Sequence, residues 1–436
     1  MYPNLYYFFK DVFHIDFRPL MVVNSFGFFV ALAFIFGAWL LLKELKRKQE
    51  LGYFTFTEKT VMVGSPAKTS DLITNFLIGF IFGYKILGVF FSNEGLQDPQ
   101  AYIFSSQGNW LAGTGLGLLF LYFKWKEKNK VRLAKPEQRK IRIWPSDRVG
   151  DIVIIAAVAG FLGAKIFDNL EHWDTFIQDP VGNLFSASGL TFYGGLILAI
   201  IALWVYFRKN KMSFINVADA AAPALMLSYG LGRLGCQVSG DGDWGIINSA
   251  YISQPDGSVL RATPEQFNAA AETYKNVTEQ FGIVGEIQHA AYALPSWLPD
   301  WMAAYTFPHN VNKEGIPLAN CTWNDFCNYL PLPVFPTSFY EVLMCCLILF
   351  PLLWFLRKKI FTPGKLFGIY LIFNGVERFL IEKIRVNTKY DIFGWHPSQA
   401  ELISLGMITA GVVLVLNARK WFKKAAPERI SLSKKG

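Results

Sequence analysis

An apolar run of the chain closes with Ser228-Tyr-Gly-Leu-Gly-Arg-Leu-Gly-Cys-Gln-Val-Ser-Gly-Asp-Gly-Asp-Trp-Gly245, which contains six glycines, one arginine and two aspartates. A guanidinium inside an apolar segment is costly unless it has a partner or a function. The rest of the sequence predicts a frame of membrane helices around this segment.

The composition is that of a polytopic membrane protein. The 436 residues have a mean hydropathy of +0.28, with 52% hydrophobic and 17% charged residues. The net charge of +9 comes from Lys and Arg clusters that directly follow apolar runs, as in cytoplasmic loops, and this distribution argues against nucleic acid as a partner. Residues 1–19 lack the basic start and the cleavage site of a signal peptide, and their aromatic character predicts an interfacial segment on the membrane surface.

Nine apolar runs are candidate membrane-spanning helices, or eight if one of the shorter runs does not cross. The predicted fold class is therefore an all-α polytopic integral membrane protein. The runs lie near 20–42, 71–91, 108–123, 150–167, 189–207, 217–235, 336–356, 366–384 and 398–417.

Basic residues predict the orientation of these helices. Lys and Arg concentrate in alternate connections, whereas the connections 92–107 and 168–188 hold none. The positive-inside bias then places the N-terminus outside and the C-terminus in the cytoplasm. In order, the predicted segments are an interfacial 1–19, transmembrane 20–235, an extracytoplasmic cap within 236–335, transmembrane 336–417 and a basic cytoplasmic tail 418–436.

The cap is predicted to contain a helix at 264–280. Two roles are considered for the cap: it forms part of the site, or it is a solvent-exposed insertion with no chemical function. It holds Cys321 and Cys327, which either form a disulfide, as the extracytoplasmic location permits, or stay free. Cys345 and Cys346 lie in an apolar run and are expected to be packing residues.

A weak internal repeat links two of the helix pairs. Asp71 and Lys85 recur 80 residues later as Asp151 and Lys165, with each aspartate at a helix start and each lysine fourteen residues along. Duplication of a helical pair and coincidence of membrane-helix composition both account for this pattern.

Ionisable side chains within the spans all fall in the outer half of the bilayer, if the predicted orientation and a rise of about 1.5 Å per residue are applied. Long side chains such as those of Lys85 and Arg385 can snorkel to the interface. Arg378, Glu382 and Arg385 are spaced by four and three residues, which predicts one shared helix face and either a structural ion pair or part of a site. The full set is Lys85, Lys165, Tyr193, Arg233, Glu341, Arg378, Glu382, Arg385 and Glu401.

Arg233 has the most open surroundings in this set. Gly230, Gly232 and Gly235 remove side chains around it and let backbone or a ligand approach. Because a guanidinium presents a planar fork to phosphate oxygens, these residues predict a site for an anionic lipid headgroup in the outer leaflet.

Asp241 and Asp243 follow in a glycine-rich turn at the membrane surface. They either serve turn formation or bring two carboxylates to the site. One Asp-x-Asp supplies too few oxygen ligands to argue for a calcium site. No metal or cofactor is expected.

Four sequence blocks resemble the prolipoprotein diacylglyceryl transferase family. They are Gly232-Arg-Leu-Gly235 with Trp244-Gly245, Gly189-Leu-Thr-Phe-Tyr193-Gly194-Gly195-Leu196, Pro336-Thr-Ser-Phe-Tyr340-Glu341 and Glu377-Arg-Phe-Leu-Ile-Glu-Lys-Ile-Arg385. The blocks cover most of 147–245 and 334–415 in family order. The pair of spans at 71–124 and the cap have no counterpart in this resemblance.

The resemblance implies a seven-span core, with an extra pair at about 71–124, in a bacterial cytoplasmic (inner) membrane. It also implies transfer of a diacylglyceryl group from phosphatidylglycerol to the lipobox cysteine of a preprolipoprotein signal peptide, the first step of lipoprotein maturation. The charge pattern agrees, since this membrane lipid presents its phosphate in the outer leaflet.

Four positions depart from the family pattern, and one of them is Ser25-Phe26-Gly27 in the first span, where the family has an aromatic Trp-Tyr-Gly. Tyr193 stands in place of a histidine, Cys236 in place of an asparagine, and Asp241 is offset by one residue from a glutamate. A tyrosine, with a pKa of about 10, is a weak base at neutral pH, whereas the nucleophile is a thiolate and a free cysteine has a pKa of about 8.5. Asp243 and His396 are further candidates for the base.

The residues expected to carry catalysis are Arg233 and Arg378, which hold the phosphate, and Asp241 or Tyr193, which orients the headgroup or takes the thiol proton. The residues expected to contact the substrate are Gly194, Gly195, Gly232, Gly235, Asp243, Tyr340, Glu341, Glu382 and Arg385.

Two alternatives stay open. One is a non-catalytic relative or accessory protein that binds anionic lipid, and the other is a transporter whose path is lined by the buried charges. Confinement of these charges to the outer half of the membrane argues against transport.

Overall fold

The computed structural model describes residues 1–423 except 98, 186–188, 190, 243, 281–287, 324, 388–389, 392–393 and 395. Helices form most of this part of the chain. The α-helices are α1 Leu5–Phe13, α2 Ser25–Glu50, α3 Thr69–Ile81, α4 Asn93–Gln97, α5 Pro99–Phe104, α6 Trp110–Lys130, α7 Val149–Glu171, α8 Trp173–Gln178, α9 Pro180–Phe185, α10 Phe192–Lys209, α11 Phe214–Ser239, α12 Pro264–Thr273, α13 Lys275–Gln280, α14 Thr337–Val342, α15 Phe350–Leu356, α16 Lys365–Glu382 and α17 Gln399–Trp421.

Helices occupy all nine positions of the apolar runs, and two of them combine helix types. α3 continues through a π-helical segment, Phe82–Leu87, and a 3-10 turn, Gly88–Phe91, while a π-helical segment, Leu343–Leu349, joins α14 to α15. Within the described residues, seven helical segments are long and apolar enough to cross a membrane. The all-α polytopic fold is confirmed; the number of nine stays a prediction, since α6 and α16 lie outside that set of seven.

The described chain divides into two compact units. The first comprises Met1–Asp16, Val23–Tyr53 and the described part of Ile215–Gly436, and the second comprises Phe17–Val22 and Phe54–Phe214. In the first unit α11 is the central helix, because 56% of its apolar window is buried, against 17–28% for the other six candidate spans.

Small residues let helices approach α11 closely in the first unit. Ser228 Oγ donates to the Ala33 carbonyl of α2 at 2.8 Å, and a Cβ at Gly37 would collide with that hydroxyl oxygen. Where α16 and α17 pack, Gly368 and Gly411 each face the carbonyl of the other. Such contacts between small residues are typical of membrane helices.

The second unit contains two helical hairpins, α3 with α6 and α7 with α10. Gly83 packs on the Ala112 carbonyl in one hairpin, and Gly163 packs on the Gly194 carbonyl in the other. Each turn carries two short helices, α4 and α5 or α8 and α9. Because both hairpins share this construction, duplication accounts for the 80-residue repeat better than coincidence of composition.

The repeated lysines have the same role in the two hairpins. Lys85 Nζ donates to the carbonyls of Ser105 and Gln107, and Lys165 Nζ donates to the Asn183 carbonyl at 3.2 Å. Each ammonium thus ties its helix to the loop that follows it.

Short strands, which the apolar pattern did not predict, form four two-stranded sheets within the described residues. An antiparallel ribbon closes the first hairpin of the second unit, with Thr57 opposite Ile143. The other three sheets lie in the cap. The strands are β1 Thr57–Val63, β2 Glu137–Ile143, β3 Ile247–Asn248, β4 Tyr251–Ser253, β5 Val259–Arg261, β6 His289–Ala290, β7 Ile316–Pro317 and β8 Asn328–Tyr329.

The cap is a folded subdomain with its own apolar core. The expected helix at 264–280 is present as α12 and α13, divided at Tyr274. Cys321 and Cys327 form a disulfide, and Trp323, between them in sequence, stacks on Tyr7 of α1 with ring centroids 4.5 Å apart. The core side chains are Ile247, Phe267, Phe307, Leu330, Leu332 and Val334.

Candidate functional site

Glu341 is the centre of an ion-pair network in the first unit. Its carboxylate, with no exposed surface, lies 3.0 Å from Arg233 Nε and 3.4 Å from an Arg378 nitrogen. The Tyr229 hydroxyl donates to the same carboxylate at 2.9 Å. Tyr229 and Arg233 are four residues apart on α11, which places both on the face toward α14.

The network continues from Arg378 to the start of α17. Arg378 lies 3.3 Å from Glu382, one turn further along α16. Glu382 also accepts a hydrogen bond of 2.6 Å from Ser398, the N-cap residue of α17, and another from Asn387. The predicted pairing of Arg378 with Glu382 is confirmed.

Arg385 does not share the helix face of this pair, contrary to the prediction from spacing. α16 ends at Glu382. The backbone beyond it pairs with the end of the segment 228–245. Gly245 forms a β-bridge with Arg385, and the Ile246 N–H donates to the Ile384 carbonyl at 2.8 Å. Backbone pairing therefore ends the helix before Arg385, the third residue of the set Arg378, Glu382 and Arg385.

A pocket of about 100 Å3 lies beside this bridge. The pocket is lined by positively and negatively charged side chains, and Arg385 is one of the lining residues. Lys383 and Glu401 within it form an ion pair. The lining residues are Gln288, Glu382, Lys383, Arg385, Asn387, His396, Ser398 and Glu401.

Only one of the three glycines near Arg233 faces open space. A Cβ at Gly232 would meet no atom within 4 Å. At Gly230 it would collide with Cys346 Sγ, and at Gly235 it would lie 3.1 Å from Phe29 Cβ. Gly230 and Gly235 therefore admit neighbouring helices, and Gly232 leaves room for a ligand.

Asp241 lies beyond the end of α11, toward the cap. α11 ends at Ser239, six residues past Arg233, which corresponds to roughly 9 Å of helical rise. Gly240, with φ of +71°, makes the turn, and a Cβ there would lie 2.9 Å from Asn310 Cα. Burial and the nearby Asp241 carboxylate raise the pKa of Glu314 in the cap. Asp243 lies outside the described residues.

Three of the predicted site residues lie in the second unit. Gly194 and Gly195 pack against Gly163 and Gly160 of α7, and Tyr193 precedes them in the first turn of α10. Tyr340, in the first unit, donates to the Met302 carbonyl of the cap at 2.6 Å, so its hydroxyl joins α14 to the cap.

Two residues of the network were not among the predicted site residues. Tyr229 was detectable as the position one turn before Arg233. Glu377 is 2% exposed, and neither of its carboxylate oxygens has a hydrogen-bond partner in the described part of the chain. It was detectable as a second acid directly before Arg378. The described residues contain no group of three or more His, Cys, Asp or Glu side chains arranged to hold a metal.

A second set of buried charges lies at the end of α2 and α11 remote from Arg233. Glu44, with no exposed surface, accepts a hydrogen bond of 2.6 Å from Arg357. Lys48 Nζ lies 3.2 Å from Asp219 Oδ2, and both side chains are buried. The prediction that buried charges are confined to one half of the membrane is wrong, and with it the argument that this pattern made against transport.

Asp219 also caps the helix that carries Arg378. Its carboxylate accepts hydrogen bonds of 2.8 Å from the N–H groups of Gly364 and Phe367, at the start of α16. Such N–H groups have no partner within their own helix. The sequence interpretation missed this cluster because it ended the first span near residue 42, whereas α2 continues to Glu50.

Comparison with known proteins gives one consistent result. Residues 111–417 match the family model described as prolipoprotein diacylglyceryl transferase. The chain is 22% identical over 338 residues to the phosphatidylglycerol-prolipoprotein diacylglyceryl transferase of Leptospira interrogans serogroup Icterohaemorrhagiae serovar copenhageni, covering 66% of this chain and 85% of that protein. It is 24% identical over 293 residues to the protein of the same name from Escherichia fergusonii, covering 66% and 81%. The matched range begins within α6, so it includes the second helix of the pair expected to be additional.

Proposed function

The chain belongs to the prolipoprotein diacylglyceryl transferase family, and from this membership we propose that it transfers the diacylglyceryl group of phosphatidylglycerol to the lipobox cysteine thiol of a preprolipoprotein. The observation that carries the proposal for this chain is the Arg233–Glu341–Arg378 network, in which two guanidiniums share one buried carboxylate. Two arginines held in this way form a fork suited to phosphate oxygens.

In the proposed reaction Arg233 and Arg378 bind the phosphate of the lipid. The thiolate of the substrate cysteine attacks the glyceryl carbon, so a carbon–sulfur bond forms while the carbon–oxygen bond to phosphate breaks. Negative charge grows on the leaving glycerol phosphate, where preorganised guanidiniums stabilise it most. The open space at Gly232 gives the lipid access beside Arg233.

The other predicted site residues enter this proposal with narrower roles. Asp241 or Tyr193 orients the headgroup or takes the thiol proton, and Asp243 or His396 is an alternative base. Glu341 and Glu382 hold the two arginines in place. The remaining residues proposed to contact substrate are Gly194, Gly195, Tyr340 and Arg385, whereas Gly235 packs against Phe29.

The chain is a multi-pass membrane protein, as its apolar helices and its family indicate. We place it in the bacterial cytoplasmic (inner) membrane with its N-terminus outside and its C-terminus in the cytoplasm, because Lys and Arg concentrate in alternate connections. In this topology the cap and the Arg233 network face the outer leaflet, where phosphatidylglycerol and the signal peptide meet.

The test is a transfer assay in proteoliposomes with phosphatidylglycerol and a lipobox peptide, in which the peptide mass reports an added diacylglyceryl group. We expect the mass to increase with wild type, and we expect Arg233→Ala to abolish transfer while the protein stays folded. An unmodified peptide, in an assay where a family enzyme modifies it, refutes the proposal. If wild type is inactive but still binds the lipid, the chain is the non-catalytic lipid-binding relative considered above. The replacement of the family's histidine by Tyr193 and of its asparagine by Cys236 is compatible with that outcome.

A further inference from the structure

Glu377 is a buried carboxyl group whose oxygens have no hydrogen-bond partner among the described residues. It directly precedes Arg378 on α16, and the groups that act on it are Glu341, Arg233, Arg378 and the Tyr229 hydroxyl, whose one proton is donated to Glu341. Polar groups buried in proteins are nearly always hydrogen-bonded, so an exception inside a cluster of charges requires an explanation. A ligand that enters the cluster supplies the missing partner.

The charges of the network are balanced without Glu377. Arg233 is paired with Glu341, and Arg378 is paired with Glu341 and Glu382. A phosphodiester that binds to both arginines brings one further negative charge. An ionised Glu377 would add a second uncompensated charge in a buried site, at a high cost. The neutral carboxylic acid avoids this cost and can donate a hydrogen bond to a phosphate oxygen.

We propose that Glu377 is the general acid that protonates the leaving glycerol phosphate, an assignment that rests on the proposed function. Three observations support it: the side chain is buried, its oxygens lack partners among the described residues, and it directly precedes Arg378, one of the two arginines assigned to phosphate, on α16. It thereby becomes a catalytic residue, in contact with the oxygen of the bond that breaks.

The proton balance of this step is closed. As the thiolate carbon–sulfur bond forms and the carbon–oxygen bond breaks, the Glu377 proton passes to the departing phosphate oxygen and leaves a carboxylate. The proton released when the substrate thiol ionised passes to the base and then to solvent, and Glu377 regains a proton from solvent after glycerol phosphate has left. Thiol and lipid are thus converted to thioether and singly protonated glycerol phosphate with no further reactant.

The experiment measures transfer kinetics of Glu377→Gln with two lipids, phosphatidylglycerol and an analogue with a nitrophenyl group in place of the headgroup glycerol. Glutamine keeps the size of the side chain but has no acidic proton. With phosphatidylglycerol we expect kcat to fall about 100-fold, the lower end of general acid–base effects, while KM stays near that of wild type. With the nitrophenyl lipid the loss should be much smaller, because its leaving phosphate is less basic and needs the proton less.

Glu377→Asp keeps an acid and should retain more activity than Glu377→Gln, which separates loss of the proton from loss of packing. Glu127→Gln is the matched control, because the exposed Glu127 carboxylate is paired with Lys124 and lies outside the proposed site. This variant should transfer from both lipids at the wild-type rate. A wild-type kcat for Glu377→Gln, or an equal loss with both lipids, overturns the acid assignment. Absence of transfer by wild type itself overturns the proposed function and the acid assignment with it.

Discussion

Replacement of Asp219 by alanine tests how the remote charge cluster supports the site. The substitution removes the partner of the buried Lys48 ammonium and the acceptor of two N–H groups at the start of α16. Removal of one member of a buried ion pair costs about 3–5 kcal/mol, because the other charge is left without compensation. Each stranded N–H adds about 1 kcal/mol or more. We therefore expect the free energy of unfolding to fall by at least about 3–5 kcal/mol.

Because Asp219 fixes α16 to α11, the same substitution should also weaken the alignment of Arg378 with Arg233 and lower kcat. Unfolding in mixed micelles, titrated with a denaturing detergent, gives the free energy, and the transfer assay gives kcat. Addition of Lys48→Met to Asp219→Ala should recover part of the loss, with a coupling of about 0.5–3 kcal/mol. A loss below about 1 kcal/mol, or strictly additive effects of the two substitutions, refutes the assignment of a buried, coupled pair.

Two further outcomes follow from the packing of the helices and of the cap. Gly163→Leu should push α7 away from α10 at the Gly194 carbonyl and lower the free energy of unfolding by about 1–3 kcal/mol. Gly150→Leu, which faces open space on the same helix, should be tolerated. Thermal unfolding in detergent compares the two variants, and equal effects would contradict the contact between Gly163 and α10. In the cap, burial lowers the pKa of His309 below its usual 6.5. The folded cap therefore binds fewer protons than the unfolded chain, and its stability should fall as the pH drops below about 6.5. Unfolding midpoints measured between about pH 7.5 and 5 should show this fall for wild type and a smaller fall for His309→Gln.

Much of the fold was predictable, because apolar runs of membrane length leave a helix as the only open structure that satisfies its backbone in lipid. Helices therefore occupy every predicted position. The strands Thr57–Val63 and Glu137–Ile143 were not predicted, since their residues are polar and basic and the two strands pair across more than seventy residues of chain. Short polar strands of this kind depend on long-range pairing rather than on a local pattern.

The candidate site was predictable to the extent that local spacing controls it. A guanidinium and a carboxylate four residues apart on one helix meet, and Arg378 with Glu382 does so. The same rule failed at Arg385, because backbone pairing with Gly245 ended the helix first. It also gave no means of distinguishing Gly232, which faces open space, from Gly230 and Gly235, which admit neighbouring helices.

The class of the protein, the positions of its helices and the residues that resemble its family could all be predicted from the sequence, because hydropathy and short motifs are local properties of the chain. Which charges meet depends on the tertiary structure. Glu341 joins Arg233 to Arg378, and Asp219 joins Lys48 to the start of α16, across separations of 37 to 171 residues. In a medium of low dielectric constant a buried charge must find its partner wherever the fold brings one, and distance along the chain carries no information about that choice.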